Sequence, residues 1–418
     1  MESLIVFGGK ELNGEIEVDS AKNAVLPILA GCILCEGVVV LHNVTFYEDV
    51  LNMIKILESL GAKVIIQDKT LIIDSRGINS FIIPVEYSSK LRASFFCLGP
   101  LLARLKKARV SYPGGCAIGI RPIDIHTNGL KSLGAKIIDI HGFITTNGNE
   151  MKAGKVRLNF PSVGATENLI MASVFLKGTT KIYGCAKEPE VVDLCKFLNK
   201  MGAKIKGYGS DVISVTGVKK LGGGEYTPIP DRIIAGTYLM LPLIAGGKLH
   251  IKNAKKEHLG SLIDILRNNS CNIDVKNDMI KIEKLGRQKG FGKIETMPYP
   301  FFPTDLQQQL TSLACVSDGS TIIVENLFEN RFKQTFELVK MGAKIVVKDR
   351  VASIEGVNRL FGAEVNATDL RGGVSLVMAG LCAGGYTKVN NCDIIDRGYF
   401  KLEEKLSSLG ALVLREKG

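Results

Sequence analysis

The chain has 418 residues, 46% of them hydrophobic, with 45 Gly, 13 Pro and no Trp, and 53 basic against 42 acidic side chains leave a net charge of +11. That length and apolar content predict a globular protein of two or three domains and exclude a disordered or low-complexity chain. The positive charge suits a small polyanion, whereas the lack of K/R-rich runs and of Trp argues against an aromatic nucleic-acid groove.

The opening residues 1–12 carry only a four-residue apolar run and no basic leader, so no signal peptide is expected. The longest apolar stretches, Val25–Cys35 and Tyr238–Ala245, each contain a Pro and fall short of the ~20 residues of a membrane span, so no membrane contact is expected. Ten Cys scattered among apolar residues point to reduced thiols and a cytoplasmic location. Cys32-Ile-Leu-Cys35 has C-x-x-C spacing, but it lies in an apolar helical run without a second pair, and the five His do not cluster. A buried core pair is the expectation there, not a metal or redox site.

An internal repeat organises the chain. Ser59-Leu-Gly-Ala-Lys63 returns as Ser132-Leu-Gly-Ala-Lys136, Lys200-Met-Gly-Ala-Lys204, Lys340-Met-Gly-Ala-Lys344 and Ser408-Leu-Gly-Ala-Leu412, with a degenerate Asn269-Ser-Cys-Asn272 in the one gap. The markers Gly61, Gly134, Gly202, Ser270, Gly342 and Gly410 are spaced by 73, 68, 68, 72 and 68 residues. Each marker ends a helical period such as Val50, Met53, Ile54, Leu57 and Leu60 and precedes a β-rich run such as Lys63-Val-Ile-Ile66, so its glycine is expected to cap the helix in the left-handed region. Upstream in each unit a first helix leads into a glycine and a short strand, over 23–41, 92–110, 166–182, 232–251, 306–324 and 370–389. The unit is helix, strand, helix, strand, with a hairpin such as 213–226 before some copies. Six such units predict an α/β protein of two three-unit lobes, with crossings near Val18–Ser20 and Pro228–Pro230. A solenoid is disfavoured, because its repeats usually span about 20–50 residues.

Superposed, the units place polar residues at equivalent helix starts. The first helices open with Lys22-Asn23, Arg92, 162–166, Asp231-Arg232, Thr304-Asp305 and 368–371, and the second near Glu48-Asp49, Arg121, Glu188, His258, Arg331 and Arg397. Acidic members such as Asp231 and Glu48 fit helix caps. Cations there oppose the helix dipole, so Lys22, Arg92, Arg121, Arg232, Arg331 and Arg397 are expected to meet an anion.

The segment 112–122, Tyr-Pro-Gly-Gly-Cys-Ala-Ile-Gly-Ile-Arg-Pro, breaks both helical and strand periods and is expected to be an exposed loop suited to a lid. Its Cys116 lacks an apolar periodic setting and lies five residues before Arg121, a cation able to lower its thiol pKa. Phosphate-loop and dinucleotide motifs are absent: Gly222-Gly-Gly224 has no Lys-Ser/Thr after it.

Ser20-Ala-Lys-Asn-Ala24, the loop from Pro113 to Pro122, Ser162-Val-Gly-Ala-Thr166, Phe302-Pro-Thr-Asp305, Phe328-Glu-Asn-Arg331, Ala367-Thr-Asp-Leu-Arg371 and Asp396-Arg-Gly398 together resemble the UDP-N-acetylglucosamine 1-carboxyvinyltransferases of the enolpyruvyl transferase family. The resemblance runs end to end and in order. It implies two inside-out α/β barrel domains of three repeats each, 20–229 and 1–19 plus 230–418, the N-terminal strands joining the C-terminal domain. It implies transfer of the enolpyruvyl group of phosphoenolpyruvate to the 3-hydroxyl of UDP-N-acetylglucosamine, the first committed step of peptidoglycan synthesis. These small molecules would be the only partners, with no cofactor, metal, nucleic acid, membrane or obligate protein.

The same resemblance implies that Lys22, Asn23, Arg92, Arg121 and Arg397 hold phosphoenolpyruvate. Asn23, Arg92, Arg121, Pro122, Ile123, Asp124, Ile125, Ser162, Val163, Gly164, Thr304, Asp305 and Leu327 would hold the UDP-sugar, and Arg232, Glu329, Arg331, Asp369 and Arg371 would be supporting charges. Phe160-Pro161 departs from relatives that carry Lys and Val there. The reaction needs an acid near carbon 3 of the donor and a carboxylate base near the hydroxyl; Cys116 suits the first and Asp305 the second, with Lys22 and Arg397 stabilising charge. A shikimate 3-phosphate enzyme of the same plan would not be expected to carry this Cys, and a nucleic-acid cyclase should show a nucleophilic His.

Overall fold

The computed structural model describes residues 2–89, 91–112, 119 and 123–417. In the first helix of a repeat, apolar and small residues face every direction. Arg232–Ala245 is buried from Ile233 to Ile244, and Lys22–Cys32 from Ala24 onward. Such helices belong at the centre of a core. The inner helices Gln307–Cys315, Leu370–Cys382 and Arg232–Ala245 pack on one another, as Leu98–Leu105 does on Val163–Ser173. The second helices are amphipathic: Glu48–Ser59 buries Val50, Met53, Ile54 and Leu57, and the fifth residue of the predicted set, Leu60, is buried at the C-cap, while Lys55 and Glu58 face water.

Outside the inner helices lie, among the described residues, six small sheets, five of four strands and one of three. The third repeat shows the plan. Lys155–Arg157 runs parallel to Thr179–Tyr183 with Val156 opposite Ile182, and the second strand pairs antiparallel with Val212–Thr216, whose other edge carries Lys204–Lys206. Helices inside and sheets outside make each three-repeat unit an inside-out α/β barrel. In the second repeat an isolated parallel bridge between Ile82 and Arg109 replaces the fourth strand.

The hairpin expected over 213–226 does not form, because Val212–Thr216 pairs with Thr179–Tyr183 and Lys204–Lys206 while Gly224–Tyr226 pairs with Val38–Leu41. Instead, among the described residues, five repeats carry a hairpin directly after the second helix, such as Lys204–Lys206 with Val212–Thr216. Asp68, His141, Asn277 and Asp349, at φ 49, 52, 53 and 53°, turn four of them. In the sixth repeat the chain's own start takes that place: Ser3–Phe7 lies antiparallel between Tyr386–Asn390 and Leu412–Glu416. Leu12–Glu17 then pairs in parallel with Gly247–Lys252, and Gly224–Tyr226 pairs in parallel with Val38–Leu41. Each ring of three repeats is thus closed by a strand remote in sequence. The described residues form two compact units, one of 2–19, 119 and 230–417 and the other of 20–89, 91–112 and 123–229. Among them no helix is long and apolar enough to cross a membrane.

The marker glycines take φ of 109° at Gly61, 95° at Gly134, 112° at Gly202, 90° at Gly342 and 101° at Gly410, the left-handed turn that the repeat predicts. The degenerate Ser270 is absent from that set, its helix ending instead at Asn268 with φ −81°. A Cβ at Gly202 would meet nothing within 4 Å, whereas one at Gly61 would lie 2.5 Å from the Gly77 carbonyl oxygen. Gly202→Ala therefore carries a backbone cost alone, of about 1–3 kcal/mol, and Gly61→Ala adds a clash. Urea midpoints should fall for both and further for Gly61→Ala; equal midpoints for Gly202→Ala and the parent would remove the left-handed cap from the explanation.

Candidate active site

In the 20–229 unit, Lys22 is the first residue of its inner helix, whose start has no side-chain cap. Its Nζ lies 3.0 Å from Asp49 Oδ2, with side-chain exposures of 12% and 7%, so the protein itself supplies a counter-ion. Asn23 is exposed beside it, and the helix packs against the short turn Arg92–Cys97 that Arg92 opens. Glu48, read as a cap, makes no capping bond; the residue before the helix is Tyr47.

Ser162 caps Val163–Ser173, its Oγ accepting from Ala165 N at 3.3 Å. One turn on, Asn168 is fully buried, and its amide ties three helix starts together. Nδ2 donates to Phe95 O at 3.1 Å and lies 3.1 Å from His126 Nδ1, and Oδ1 accepts from Gly99 N at 2.8 Å. Gly164 lets this approach close, since a Cβ there would lie 3.0 Å from His126 Cε1. The structure thus brings Ser162, Val163 and Gly164 beside the helix that Ile123, Asp124 and Ile125 begin, and beside the Arg92 turn. Cys116, Arg121 and Pro122 lie outside the described residues.

In the other unit, Asp231 caps Arg232–Ala245 by accepting from Ile233 N and Ile234 N at 2.8 and 3.0 Å. Asp369 caps Leu370–Cys382 from Arg371 N and Gly372 N at 3.1 and 3.0 Å. A cap of this kind contributes about 1 kcal/mol. Asp369 Oδ2 also accepts from Gln308 Nε2 at 3.0 Å, so its charge serves the inner-helix start directly. Between these caps, Asp305 sits in the turn Thr304–Leu306 ahead of Gln307–Cys315.

Its carboxylate forms ion pairs with Arg331 and, at 3.6 Å, with Arg371, whose side chains are only 3% and 5% exposed. Burial pushes the Asp305 carboxyl up, but Arg331, Arg371 and Arg232 override it and hold the group well below the usual carboxylate range. Asp305 is therefore ionised but weakly basic at rest. Arg331 Nε and Arg371 Nη1 are buried without a hydrogen-bond partner, which leaves donors beside the carboxylate. Arg371 faces the Tyr399 ring at 5.4 Å, and the Tyr399 hydroxyl lies 2.7 Å from Thr237 Oγ1 and accepts from Gln309 Nε2 at 3.2 Å.

Sequence reasoning missed Glu325. Fully buried, its Oε2 accepts from Thr304 Oγ1 at 2.7 Å and its Oε1 from Thr296 Oγ1, Leu327 N and Phe328 N at 2.9, 2.9 and 3.2 Å. It fixes both Thr304 and the backbone of Leu327. The signal lay in the strand register, where Thr321, Ile323 and Glu325 share the inward face of Ser320–Glu325.

Two cations do not open helices as expected. Arg331 lies three residues before Gln334–Lys340, and Arg397 follows the one-turn helix Asp393–Asp396. Neither opposes a helix dipole, and Arg331 is placed by Thr304 and Asp305 instead, donating to Thr304 Oγ1 at 2.9 Å. Glu329 is exposed and paired with Arg350 at 2.6 Å. Among the described residues no His, Cys, Asp and Glu side chains group as metal ligands.

Two inside-out rings, with charged residues gathered at their inner-helix starts, define the class of enolpyruvyl transferases. The family model for EPSP synthase (3-phosphoshikimate 1-carboxyvinyltransferase) matches residues 6–406, and the chain belongs to that family. It is 50% identical over 410 residues to UDP-N-acetylglucosamine 1-carboxyvinyltransferase 2 of Caldanaerobacter subterraneus subsp. tengcongensis, covering 98% of each chain. Against the protein of the same name from Carboxydothermus hydrogenoformans it is 47% identical, covering 99% of each. The solved enolpyruvyl transferase NikO of Streptomyces tendae shares the fold at TM-score 0.90 with 22% identity, covering 100% of this chain and 99% of that one. EPSP synthase of Acinetobacter baumannii does so at TM-score 0.77 with 17% identity, covering 100% of both.

Proposed function

We propose that this chain transfers the enolpyruvyl group of phosphoenolpyruvate to the 3-hydroxyl of UDP-N-acetylglucosamine, releasing phosphate, as the first committed step of peptidoglycan synthesis. The observation that carries this reading is the 42–50% identity, over nearly the whole chain, to relatives named for that acceptor. Lys22, Arg121 and Arg397, with Arg92 close by, take the donor's phosphate and carboxylate. Asn23, Ile123 to Ile125, Ser162 to Gly164, Thr304, Asp305 and Leu327 take the UDP-sugar.

Carbon 3 of the donor gains a proton, for which Cys116 is the candidate acid, while the sugar oxygen bonds to carbon 2. Because Asp305 is held ionised and weakly basic, full proton transfer to it is uphill before attack. The hydroxyl must lose its proton as the carbon–oxygen bond forms, when its acidity rises. Elimination then returns a proton from carbon 3 and expels phosphate. Both substrates place the enzyme in the cytoplasm.

Phosphate release should be seen with phosphoenolpyruvate and UDP-N-acetylglucosamine but not with phosphoenolpyruvate and shikimate 3-phosphate. Turnover with shikimate 3-phosphate alone would reverse the assignment of acceptor.

A further inference from the structure

The unit of 2–19 and 230–417 holds a cavity of about 190 Å³ at the far ends of its inner helices. The last turns of Arg232–Ala245, Gln307–Cys315 and Leu370–Cys382 form one side, and Lys284, Arg287, Gln288, Asn358 and Arg359 the other. Leu243 and Ile244, which line it, lie 11 and 12 residues along their helix from Arg232, about 16–18 Å at 1.5 Å per residue and well away from the Asp305 cluster.

Three cations and no carboxylate line this cavity. Helix C-termini carry orphan carbonyls that attract cations, which explains one of the three. Arg287 donates to Val316 O, Ser317 O and Val357 O at 3.1, 3.0 and 2.9 Å and to Asn358 Oδ1 at 2.7 Å. The carbonyls therefore do not account for the other two. Lys284 and Arg359 make no hydrogen bond or ion pair among the described residues, and Arg359 lies against Gly384, where a Cβ would come within 2.3 Å of Nη2. Lys284 is half-buried, and burial lowers its pKa although Cys382 and Glu11 act the other way.

Gln288 is 2% exposed, and its Nε2 donates to Ser270 O and Gly286 O at 2.8 and 3.1 Å, which fixes the amide's orientation. Its Oε1 has no partner. A cavity that offers two cations without a hydrogen bond or counter-ion, Arg359 meeting only the Phe361 ring at 6.0 Å, and one unpaired acceptor is matched by a ligand with the reverse pattern.

We propose that this cavity binds a compact anion that also carries a hydroxyl group, with the phosphate or carboxylate held by Lys284 and Arg359 and the hydroxyl donating to Gln288 Oε1. Cavities of about 150 Å³ hold a benzene-sized molecule, so three- or four-carbon phosphates and hydroxy-acids fit.

Isothermal titration of the full chain with glycerol 3-phosphate, L-malate and inorganic phosphate tests this, using the parent, a K284M/R359Q double variant and Arg397→Ala. Glycerol 3-phosphate or L-malate should bind the parent and Arg397→Ala equally, and at least about 10-fold more tightly than inorganic phosphate, which lacks the carbon-borne hydroxyl. The stronger of the two identifies the anionic group as phosphate or carboxylate. In the double variant that affinity should drop at least about 10-fold, with kcat/KM for enolpyruvyl transfer unchanged. If the double variant does not fold, Arg359→Gln, which alters one exposed side chain, should show a smaller loss of the same sign.

The proposal fails if no probe binds the parent at about 10 mM, or if inorganic phosphate binds as well as the hydroxylated anions. It also fails if Arg397→Ala loses the binding while the Lys284 and Arg359 variants keep it.

Discussion

Asp305→Asn should lower kcat/KM at least about 100-fold, roughly 2.7 kcal/mol, and should also destabilise the fold. The two effects have one cause. Asp305 is the counter-ion of two guanidinium groups that are 3% and 5% exposed, and asparagine keeps its size and an acceptor oxygen while removing the charge. Breaking a fully buried ion pair costs about 3–5 kcal/mol. Since the Asp305 side chain is itself 27% exposed, a loss of about 1–3 kcal/mol is expected here.

The pH dependence has a definite sign. Arg331 and Arg371 outweigh burial and depress the folded-state pKa, so the stabilisation is complete above the ordinary carboxylate pKa and is lost as pH falls through the folded value. The gap in melting temperature between parent and variant should stay constant from about pH 6 to 8 and shrink only below about pH 4. Thermal melts across that range, with steady-state kinetics at pH 7.5, check both halves. A gap that widens on acidification, or a variant with the parent's kcat/KM, contradicts the placement of Asp305 as an ionised group of the active site.

Much of the architecture was legible because it repeats. Gly61, Gly134, Gly202, Gly342 and Gly410 announce the helix ends, since a left-handed residue after a helix favours glycine. The ring closures were not legible from periodicity. Nothing in Ser3–Phe7 says that it lies between strands near residues 390 and 412, because a strand's sequence encodes its buried face but not its neighbour.

The charged helix starts were legible as positions but only partly as partners. Lys22 meets Asp49 and Arg331 meets Asp305, so the anions that their charges call for are in part side chains of the protein. Those pairings join residues 27 and 26 apart in sequence, across a helix and a strand, which composition and spacing do not reveal. Arg397 was misjudged as a helix opener because the helix before it is a single turn, too short to leave a periodic pattern.

Fosfomycin should label Cys116 and none of the other nine cysteines. The other nine are free thiols, seven buried and two, Cys271 and Cys382, half-buried. Burial pushes Cys35, Cys97 and Cys382 up to about 12 and Cys185 and Cys392 up to about 11. It also raises Cys32, Cys195, Cys271 and Cys315. Since the thiolate is the nucleophile, all nine are poorly reactive at neutral pH. Cys116 lies outside the described residues, and its case rests on sequence: a glycine-rich segment with Arg121 five residues on, together with the resemblance to the UDP-N-acetylglucosamine 1-carboxyvinyltransferases, which is what implies fosfomycin as the alkylating agent. If that segment closes over substrate, UDP-N-acetylglucosamine should change the rate of labelling. Cys116→Asp keeps an ionisable acid at the position and should retain turnover while escaping the drug. Cys116→Ser, a far weaker acid, should lose at least about 100-fold in kcat. Peptide mapping after fosfomycin treatment, with and without the UDP-sugar, reads the first expectation, and turnover of the two variants reads the second. A label on any other cysteine, or a serine variant as active as the parent, would remove Cys116 from the chemistry while leaving the family assignment intact, because that assignment rests on the chain as a whole.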